Sequence, residues 1–178
     1  MAELLTKEIL LDRARSVEVN INYDVKVKPI VNEVQQYDIK MQLGEAFYNI
    51  LIDYLEAKEA GGTDNAALEL LMNGGAYTYD SNKYRFDGLY TAVAYYTYAR
   101  MIKSQAGNLG VTGMRTANDQ YSTIADYKDR QTAYTDVKSM ADSYMADCLS
   151  YLKRKKTETG FVGCDTRKRK TNIIVIKS

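Results

Sequence analysis

The spacing of apolar side chains predicts a chain built mainly of α-helices. Six apolar residues fall on one face of a helix that ends at Gly61 and Gly62. These six residues are Leu43, Phe47, Ile50, Leu51, Tyr54 and Leu55. A shorter helix over residues 66–71 is predicted to follow Thr63 or Asp64, because its alanines and leucines recur at helical spacing.

Two further helices are predicted nearer the N-terminus. Thr6 is a suitable cap for a helix over residues 7–14, because its hydroxyl can accept a hydrogen bond from a backbone N–H of the first turn. Asp24 is the predicted cap of the next helix, which carries Pro29 early in its course. Residues 38–44 then predict a break before the chain becomes helical again.

The most apolar helix is predicted in the middle of the chain, from Asp87 to about Ser104. Apolar residues cover more than one side of it, and Val93 lies near its centre. A helix that is apolar all round is normally buried, so this helix is predicted to be the central one. The flanking residues 77–84, rich in tyrosine, and 106–118, rich in glycine, are predicted as loops.

The last helix is predicted to be the longest, over residues 122–156, or about 50 Å at 1.5 Å per residue. Residues three and four apart form a heptad seam along it. The seam is unusual because tyrosines and an arginine stand where leucine is common. Its members are Tyr127, Arg130, Tyr134, Val137, Ala141, Tyr144, Cys148 and Tyr151.

Two short β segments are predicted near the termini. Residues 17–21 alternate apolar and polar side chains, and a β-branched run occurs close to the end. That run is Ile173, Ile174, Val175 and Ile176. The predicted fold is therefore mainly α, a helical bundle with a long C-terminal helix and short β segments near the termini. Residues 1–159 are the predicted helical domain, and residues 160–178 are an extended basic C-terminal tail.

Charge divides the chain at Lys153. From there to the end, nine Lys or Arg and two Asp or Glu residues give a net charge of +7, while the remainder carries −6. This part of the chain holds two basic runs of four consecutive cations each: residues 153–156, and Arg167, Lys168, Arg169 and Lys170. An acidic body with a basic tail favours head-to-tail association between copies, or a tail that binds an acidic partner. The tail is predicted to add its strand to a neighbouring copy, with pairing to residues 17–21 of the same chain as the alternative.

Candidate catalytic and metal-binding chemistry is poor. The chain has no histidine, which is the commonest general base at neutral pH and the commonest metal ligand. Cys148 and Cys164 alone cannot make a standard structural zinc site, and they are predicted to be free thiols, with a disulfide as the alternative. No catalytic residue, cofactor or metal site is predicted. Neither a secretory signal nor a segment long enough to cross a bilayer is expected.

Tyrosine is the most informative bias, with sixteen tyrosines against three phenylalanines. Tyrosine joins a large apolar ring to a polar hydroxyl, so it suits protein interfaces. The alternative is a helical core that uses tyrosine where its edge meets solvent. Tyr77, Tyr79 and Tyr84 are predicted to bind a neighbour, so that alanine at all three weakens assembly and leaves the monomer folded. Further interface candidates are Tyr127, Arg130 and Tyr134.

Residues 24–55, which contain the stretch KPIVNEVQQYDIKMQLGEAFYNIL, resemble the opening of the small helical head–tail connector proteins of tailed phages. Those proteins show an Ile/Pro-rich helix, an LG turn and an aromatic-x-x-Leu face. Leu43 and Gly44 match the turn, and Phe47 with Leu51 matches the face at a spacing one residue longer. The charge-poor central helix, the Gly-rich loop and the basic tail extend the resemblance to most of residues 24–178. The ring proteins of crAss-like Bacteroides phages are the members it resembles most.

The resemblance implies a structural virion protein with no catalytic residues. Such proteins form rings beneath the portal protein, typically twelve-fold, contact further tail or ring proteins, and let DNA pass through the lumen without sequence readout. It implies no membrane contact, assembly in the cytoplasm of the bacterial host, and a final place in the virion neck. The alternative, based on the two basic runs at residues 153–156 and 167–170, is a helical nucleic-acid-binding accessory protein acting in genome packaging.

Overall fold

The structure is a computed structural model that describes residues 3–14, 20–62, 65–104, 108–110, 113–115 and 127–163, with the backbone alone at 108–110, 113–115 and 127. The helices are α1 (Lys7–Arg13), α2 (Lys28–Glu33), α3 (Lys40–Leu43), α4 (Glu45–Glu59), α5 (Ala66–Asn73), α6 (Gly88–Ser104), α7 (Tyr127–Arg154) and α8 (Lys156–Thr159). The strands are β1 (Gly75–Tyr79), β2 (Asn82–Phe86), β3 (Asn108–Gly110) and β4 (Gly113–Arg115).

Helix α6 lies at the centre of the fold, as its apolar pattern predicts. Leu89 and Val93 are fully buried, and so are the small residues Ala92 and Ala94. Helices α1, α2, α5 and α7 all pack against it. A charged group placed in the middle of α6 would therefore be shielded from water on several sides.

Helix α7 packs along α6 through the predicted heptad seam. Val137, Ala141 and Cys148 of the seam are buried. Tyr144 is half-buried, and its ring centroid lies 5.0 Å from that of Tyr95 on α6. The helix has 28 residues, which corresponds to about 42 Å. The heptad face is thus confirmed for the described residues, and the chain's own central helix covers it.

The helical stretch before α4 is more continuous than predicted. The chain is helical from Tyr23 to Leu43, because two π-helical segments join α2 and α3 into one run. These segments are Tyr23–Val27 and Val34–Ile39. The predicted break over residues 38–44 is wrong in its extent, since it is confined to Gly44. The φ of 80° at Gly44 is a conformation that glycine adopts without steric cost.

Of the two predicted N-terminal caps, one is confirmed and one is wrong. Thr6 caps α1, and its hydroxyl accepts a hydrogen bond from the Ile9 N–H at 3.4 Å. The run that begins at residue 23 is capped by Asn22, whose side-chain oxygen accepts from the Val25 N–H at 3.3 Å. Asp24 lies inside the first turn instead, where its negative charge suits the positive end of the helix dipole.

Two glycines let α5 and α6 cross backbone against backbone. Gly74, just after α5, has a φ of 80°, and Gly88, the first residue of α6, has a φ of 82°. A Cβ on Gly88 would lie 2.3 Å from the Gly74 nitrogen, closer than such atoms can approach. Arg13 spans the crossing with long hydrogen bonds of 3.5 Å to the carbonyl oxygens of Asn73 and Asp87. This crossing sets the point at which the following hairpin leaves the core.

Both segments predicted as loops contain β-hairpins instead. Strands β1 and β2 pair antiparallel, with Tyr77 opposite Tyr84. The two residues of the turn, Asp80 and Ser81, both have positive φ. Strands β3 and β4 also pair antiparallel. The sequence pattern misses the first hairpin because its turn lacks the glycine that usually marks two-residue turns of this kind.

The end of α7 differs in detail from the prediction. The helix stops at Arg154, and the short α8 follows. Gly160 then takes a φ of 72° and turns the chain. Phe161 is buried, and its ring packs edge-on against Phe47 with the centroids 5.1 Å apart. Phe161 therefore belongs to the core, and a departing tail can begin only after it.

The mainly α architecture with a long C-terminal helix is confirmed. The described strands, however, lie in the middle of the chain. Of the β segment predicted at residues 17–21, residues 17–19 lie outside the described residues, and Ile21 is not in a strand. Residues 164–178, with the other predicted strand, lie outside them as well. In the part of the chain that the structure describes, no helix combines the length and apolarity that a membrane span requires.

Candidate assembly surface

A mainly apolar pocket of about 560 Å³ opens at the C-terminal end of α7. Its apolar lining comes from three separate elements: Met41 of α3, Leu149 of α7, and Phe161 after α8. The remaining lining residues are Gln42, Lys153, Lys156 and Gly163. The pocket therefore depends on the turn at residue 160, which returns the chain to the core and places Phe161 beside α3 and α7.

Two lysines border the pocket with their side chains in solvent. Lys153 and Lys156 are both exposed. Within the described residues neither forms an ion pair, whereas the intervening Lys155 pairs with Glu158 at 2.7 Å between Nζ and Oε1. An anionic group that enters this pocket would meet two ammonium groups at its rim.

Large apolar side chains face solvent next to the pocket. Met41 is 70% exposed, and Val162, which stands between two lining residues, is 86% exposed. Tyr37, one helical turn before Met41, is 64% exposed. Exposed apolar side chains that cluster around a concave surface mark interaction sites. The pocket together with Tyr37, Met41 and Val162 is called the apolar patch below.

The β1–β2 hairpin docks on another side of the same helix end. The Arg154 guanidinium lies over the Tyr84 ring, 3.8 Å from its centroid, and donates to the Tyr77 hydroxyl at 2.7 Å. The Tyr151 ring lies 4.9 Å from the rings of both Tyr77 and Phe86, measured between centroids. Stacked and edge-on aromatic pairs with a cation above them hold the base of the hairpin on α7.

The apolar patch and the hairpin therefore face away from each other. Leu149 and Lys153 line the pocket, whereas Tyr151 and Arg154 hold the hairpin. With 3.6 residues per turn, these two pairs point roughly 150° apart about the helix axis. One side of the subunit thus carries a pocket, and nearly the opposite side carries a projecting hairpin.

The three tyrosines predicted to bind a neighbour lie in different surroundings. Tyr77 is only 8% exposed and packs in the chain's own core, so alanine there would damage the fold, in contrast to the prediction for the triple variant. Tyr84 is half-buried beneath Arg154. Tyr79 is 43% exposed beside the turn, and it is the member of the three that a partner can reach.

The predicted candidates near the start of α7 are partly covered by their own chain. Tyr134 is half-buried, with Lys103 Nζ 5.1 Å from its ring centroid. Arg130 is half-buried as well, and its Nε atom is fully buried. Tyr127 is the first residue of α7, and its side chain lies outside the described residues. The tail candidates at residues 167–170 and 173–176 also lie outside them.

The buried titratable groups occupy structural positions. Burial raises the pKa of the Cys148 thiol to about 12, with a smaller contribution from the charges of Asp147 and Asp87. The thiol is therefore neutral near pH 7 and a poor nucleophile. Cys148 is a free thiol, and Cys164, its partner in the alternative of a disulfide, lies outside the described residues. No group of three histidine, cysteine or acidic side chains that could hold a metal ion occurs among the described residues.

Sequence reasoning missed the residues that form the apolar patch. Tyr37 and Met41 lie in a helical stretch of mixed apolar and polar residues, and their own apolar character suggests core positions although they face solvent. Phe161 falls in the segment predicted to be a departing tail. Lys153 and Lys156 are the available signal, since two cations three residues apart in the predicted last helix lie on one side of it.

Comparison with known proteins gives a family match. The model of a family of unknown function, DUF6712, matches residues 39–171, about three quarters of the chain. The matched range contains Met41, the hairpin and the C-terminal end of α7. No curated protein and no solved structure matches the chain.

Proposed function

We propose that this chain, which belongs to the DUF6712 family, is a structural subunit that assembles into a ring in the head–tail connector of a tailed phage. The observation that carries the proposal is the pair of different, opposed surfaces at one end of α7. Subunits with two different surfaces bind head to tail, and such contacts generate a ring when the rotation closes. The resemblance of residues 24–178 to connector proteins favours a closed ring over an open filament.

The exposure of large apolar side chains supports self-assembly. Met41 and Val162 are mostly in solvent beside an open pocket. Covering apolar surface of this kind stabilises a complex by about 25 cal/mol per Å² before the costs of association are counted. In a ring, a neighbouring subunit would cover this apolar surface, whereas in an isolated monomer it stays exposed to solvent.

The proposal assigns the chain no catalytic role, cofactor or metal. The thiol of Cys148 is buried and neutral, which agrees with a purely structural role. In this proposal the ring, typically twelve-fold in the proteins it resembles, lies below the portal protein and contacts further tail or ring proteins. DNA passes through its lumen without sequence readout. Assembly takes place in the cytoplasm of the bacterial host, and the finished ring occupies the virion neck.

The mass of the pure protein tests this proposal. Sedimentation velocity and native mass spectrometry are expected to show a closed oligomer with one defined copy number, and electron micrographs to show rings with a central channel. A chain that stays monomeric up to its solubility limit contradicts the proposal. Monomers retained on DNA, with retention that falls steeply as salt rises, would support the alternative of a nucleic-acid-binding accessory protein in genome packaging.

The basic tail allows a second prediction within the same experiment. A chain shortened after Phe161 keeps the packing of the Phe161 side chain against the Phe47 side chain. Its melting temperature is therefore expected to match that of the full chain. If the tail binds a neighbouring copy, the shortened chain assembles weakly or not at all. Tail pairing within its own chain would lower the melting temperature of the monomer instead. A shortened chain that is both stable and fully competent to assemble contradicts both forms of the tail hypothesis.

A further inference from the structure

We propose that the turn of the β1–β2 hairpin, with Tyr79 and Asp80, inserts into the pocket at the end of α7 of a second copy of this chain. The inference rests on the proposed function, because it names the contact that would join neighbouring subunits of the ring. It requires a rigid projecting element, a receiving pocket of matching polarity, and opposite charges at the rim.

The hairpin turn meets the first requirement. Tyr79, Asp80 and Ser81 are all exposed. The turn is fixed by the left-handed conformations of Asp80 and Ser81 and by the Asn82 side-chain amide, which donates to the Asp80 carbonyl oxygen at 3.1 Å. Arg154 holds the base of the hairpin to α7. A turn that is already ordered loses little conformational entropy when it binds.

The pocket matches the polarity and charge of this turn. A tyrosine ring suits a lining of Met41, Leu149 and Phe161, and its hydroxyl can remain near the wet rim. The adjacent carboxylate of Asp80 would enter beside Lys153 and Lys156. An aromatic anchor flanked by a charge pair is typical of the residues that dominate the energy of protein interfaces.

Charge disfavours the chain's own basic tail as the occupant. The tail contains four consecutive cations at residues 167–170, which would lie beside Lys153 and Lys156 if the tail filled the pocket. Like charges placed together at an interface are repulsive. The stretch from Tyr79 to Asn82 carries one carboxylate and no cation.

The geometry of the subunit allows the contact to repeat. Because the hairpin and the pocket lie on nearly opposite sides of α7, a chain cannot insert its turn into its own pocket. Each bound pair keeps one unused turn and one unused pocket, so the contact can propagate and close into a ring. This heterologous arrangement has a consequence that an isologous dimer contact lacks: a subunit with a defective turn can still receive a partner.

Two variants separate the halves of the contact. The turn variant, Tyr79→Ser with Asp80→Asn, removes the ring and the charge, and asparagine tolerates the positive φ at position 80. The pocket variant, Lys153→Glu with Lys156→Glu, reverses both cations at the rim. Each variant alone is expected to self-associate roughly 30-fold or more weakly than the parent, as for loss of an interface hot spot. The matched control, Lys26→Glu with Lys128→Glu, changes two exposed lysines elsewhere and is expected to assemble like the parent.

Mixing the two defective variants gives the decisive measurement. The intact turn of the pocket variant should enter the intact pocket of the turn variant, and the pair then has no functional surface left. An equimolar mixture is therefore expected to form 1:1 heterodimers in native mass spectrometry, while each variant alone stays monomeric. Far-ultraviolet circular dichroism and thermal melting of each variant show that it is folded.

The outcomes distinguish this contact from the proposed function itself. A parent that never self-associates contradicts both. A parent that assembles, with turn or pocket variants that assemble equally well, leaves the ring in place and overturns this contact. If the pocket variant loses assembly while the turn variant assembles like the parent, the pocket receives a different segment and this contact is overturned. Two folded, monomeric variants that fail to form heterodimers when mixed would also overturn the proposal.

Discussion

Replacing Val93 with aspartate is expected to lower the free energy of unfolding by about 3–5 kcal/mol. Val93 is fully buried in the middle of α6, against which several helices pack. A carboxylate there loses its contact with water, so its pKa would rise until the group is neutral. Domains of this kind are stable by only about 5–15 kcal/mol, so the variant should lose a large part of its stability.

Thermal or denaturant melting of the variant checks this result against a matched control. Val25 is 70% exposed, and Val25→Asp is expected to change the free energy of unfolding by no more than about 0.5 kcal/mol. The two variants introduce the same carboxylate and differ in burial. Equal melting temperatures for both would show that α6 is not the centre of the fold.

Replacing Gly88 with alanine is expected to destabilise the protein by about 2–5 kcal/mol, because two costs add. The left-handed φ of 82° costs a residue with a Cβ about 1–2 kcal/mol. The new methyl group would also lie 2.3 Å from the Gly74 nitrogen and 2.6 Å from the Met72 carbonyl oxygen. These atoms belong to the backbone and cannot rotate away, so the crossing of α5 and α6 must open, at a further cost of about 1–3 kcal/mol.

A second glycine isolates the steric part of this effect. Gly61 has nearly the same φ, 79°, but a Cβ added to it meets no atom within 4 Å. Gly61→Ala should therefore cost only the conformational part, about 1–2 kcal/mol. The difference in unfolding free energy between the two alanine variants measures the backbone contact at the crossing. If the two variants are equally stable, that contact is not made.

The Gly88→Ala variant also connects stability to assembly. The crossing of Gly74 and Gly88 fixes where β1 leaves α5 and where β2 enters α6. An opened crossing would move the hairpin relative to α7 even while the core remains folded. Weakened self-association of this variant, measured below its melting temperature, is the expected consequence for the proposed contact.

Helix positions were the part of the fold that sequence predicted well, because helix periodicity is a local property. The all-round apolar pattern of α6 identified the central helix, and the heptad spacing of α7 identified its buried face. The error over Asp24 has a local cause as well. Both Asn22 and Asp24 are good capping residues, and only the backbone conformation of Asn22 decides between them.

The hairpin was less predictable, because its strands depend on partners outside the local sequence. Tyr77, Tyr84 and Phe86 form an apolar face only when Tyr151 and Arg154 of α7 lie against them. The turn at Asp80 and Ser81 carries no glycine, which removed the usual local signal. The sequence therefore predicts Tyr77 as an interface residue, although the fold buries it.

The sequence by itself determined the helical class, the central helix and the charge division, since each follows from composition or from spacing within a few turns. The apolar patch was decided by tertiary structure alone. Met41, Leu149 and Phe161 are far apart in sequence and meet only because Gly160 turns the chain back onto α4. Whether an apolar side chain belongs to the core or to an interface depends on which helices and strands pack over it. The spacing of residues within one helix does not contain that information.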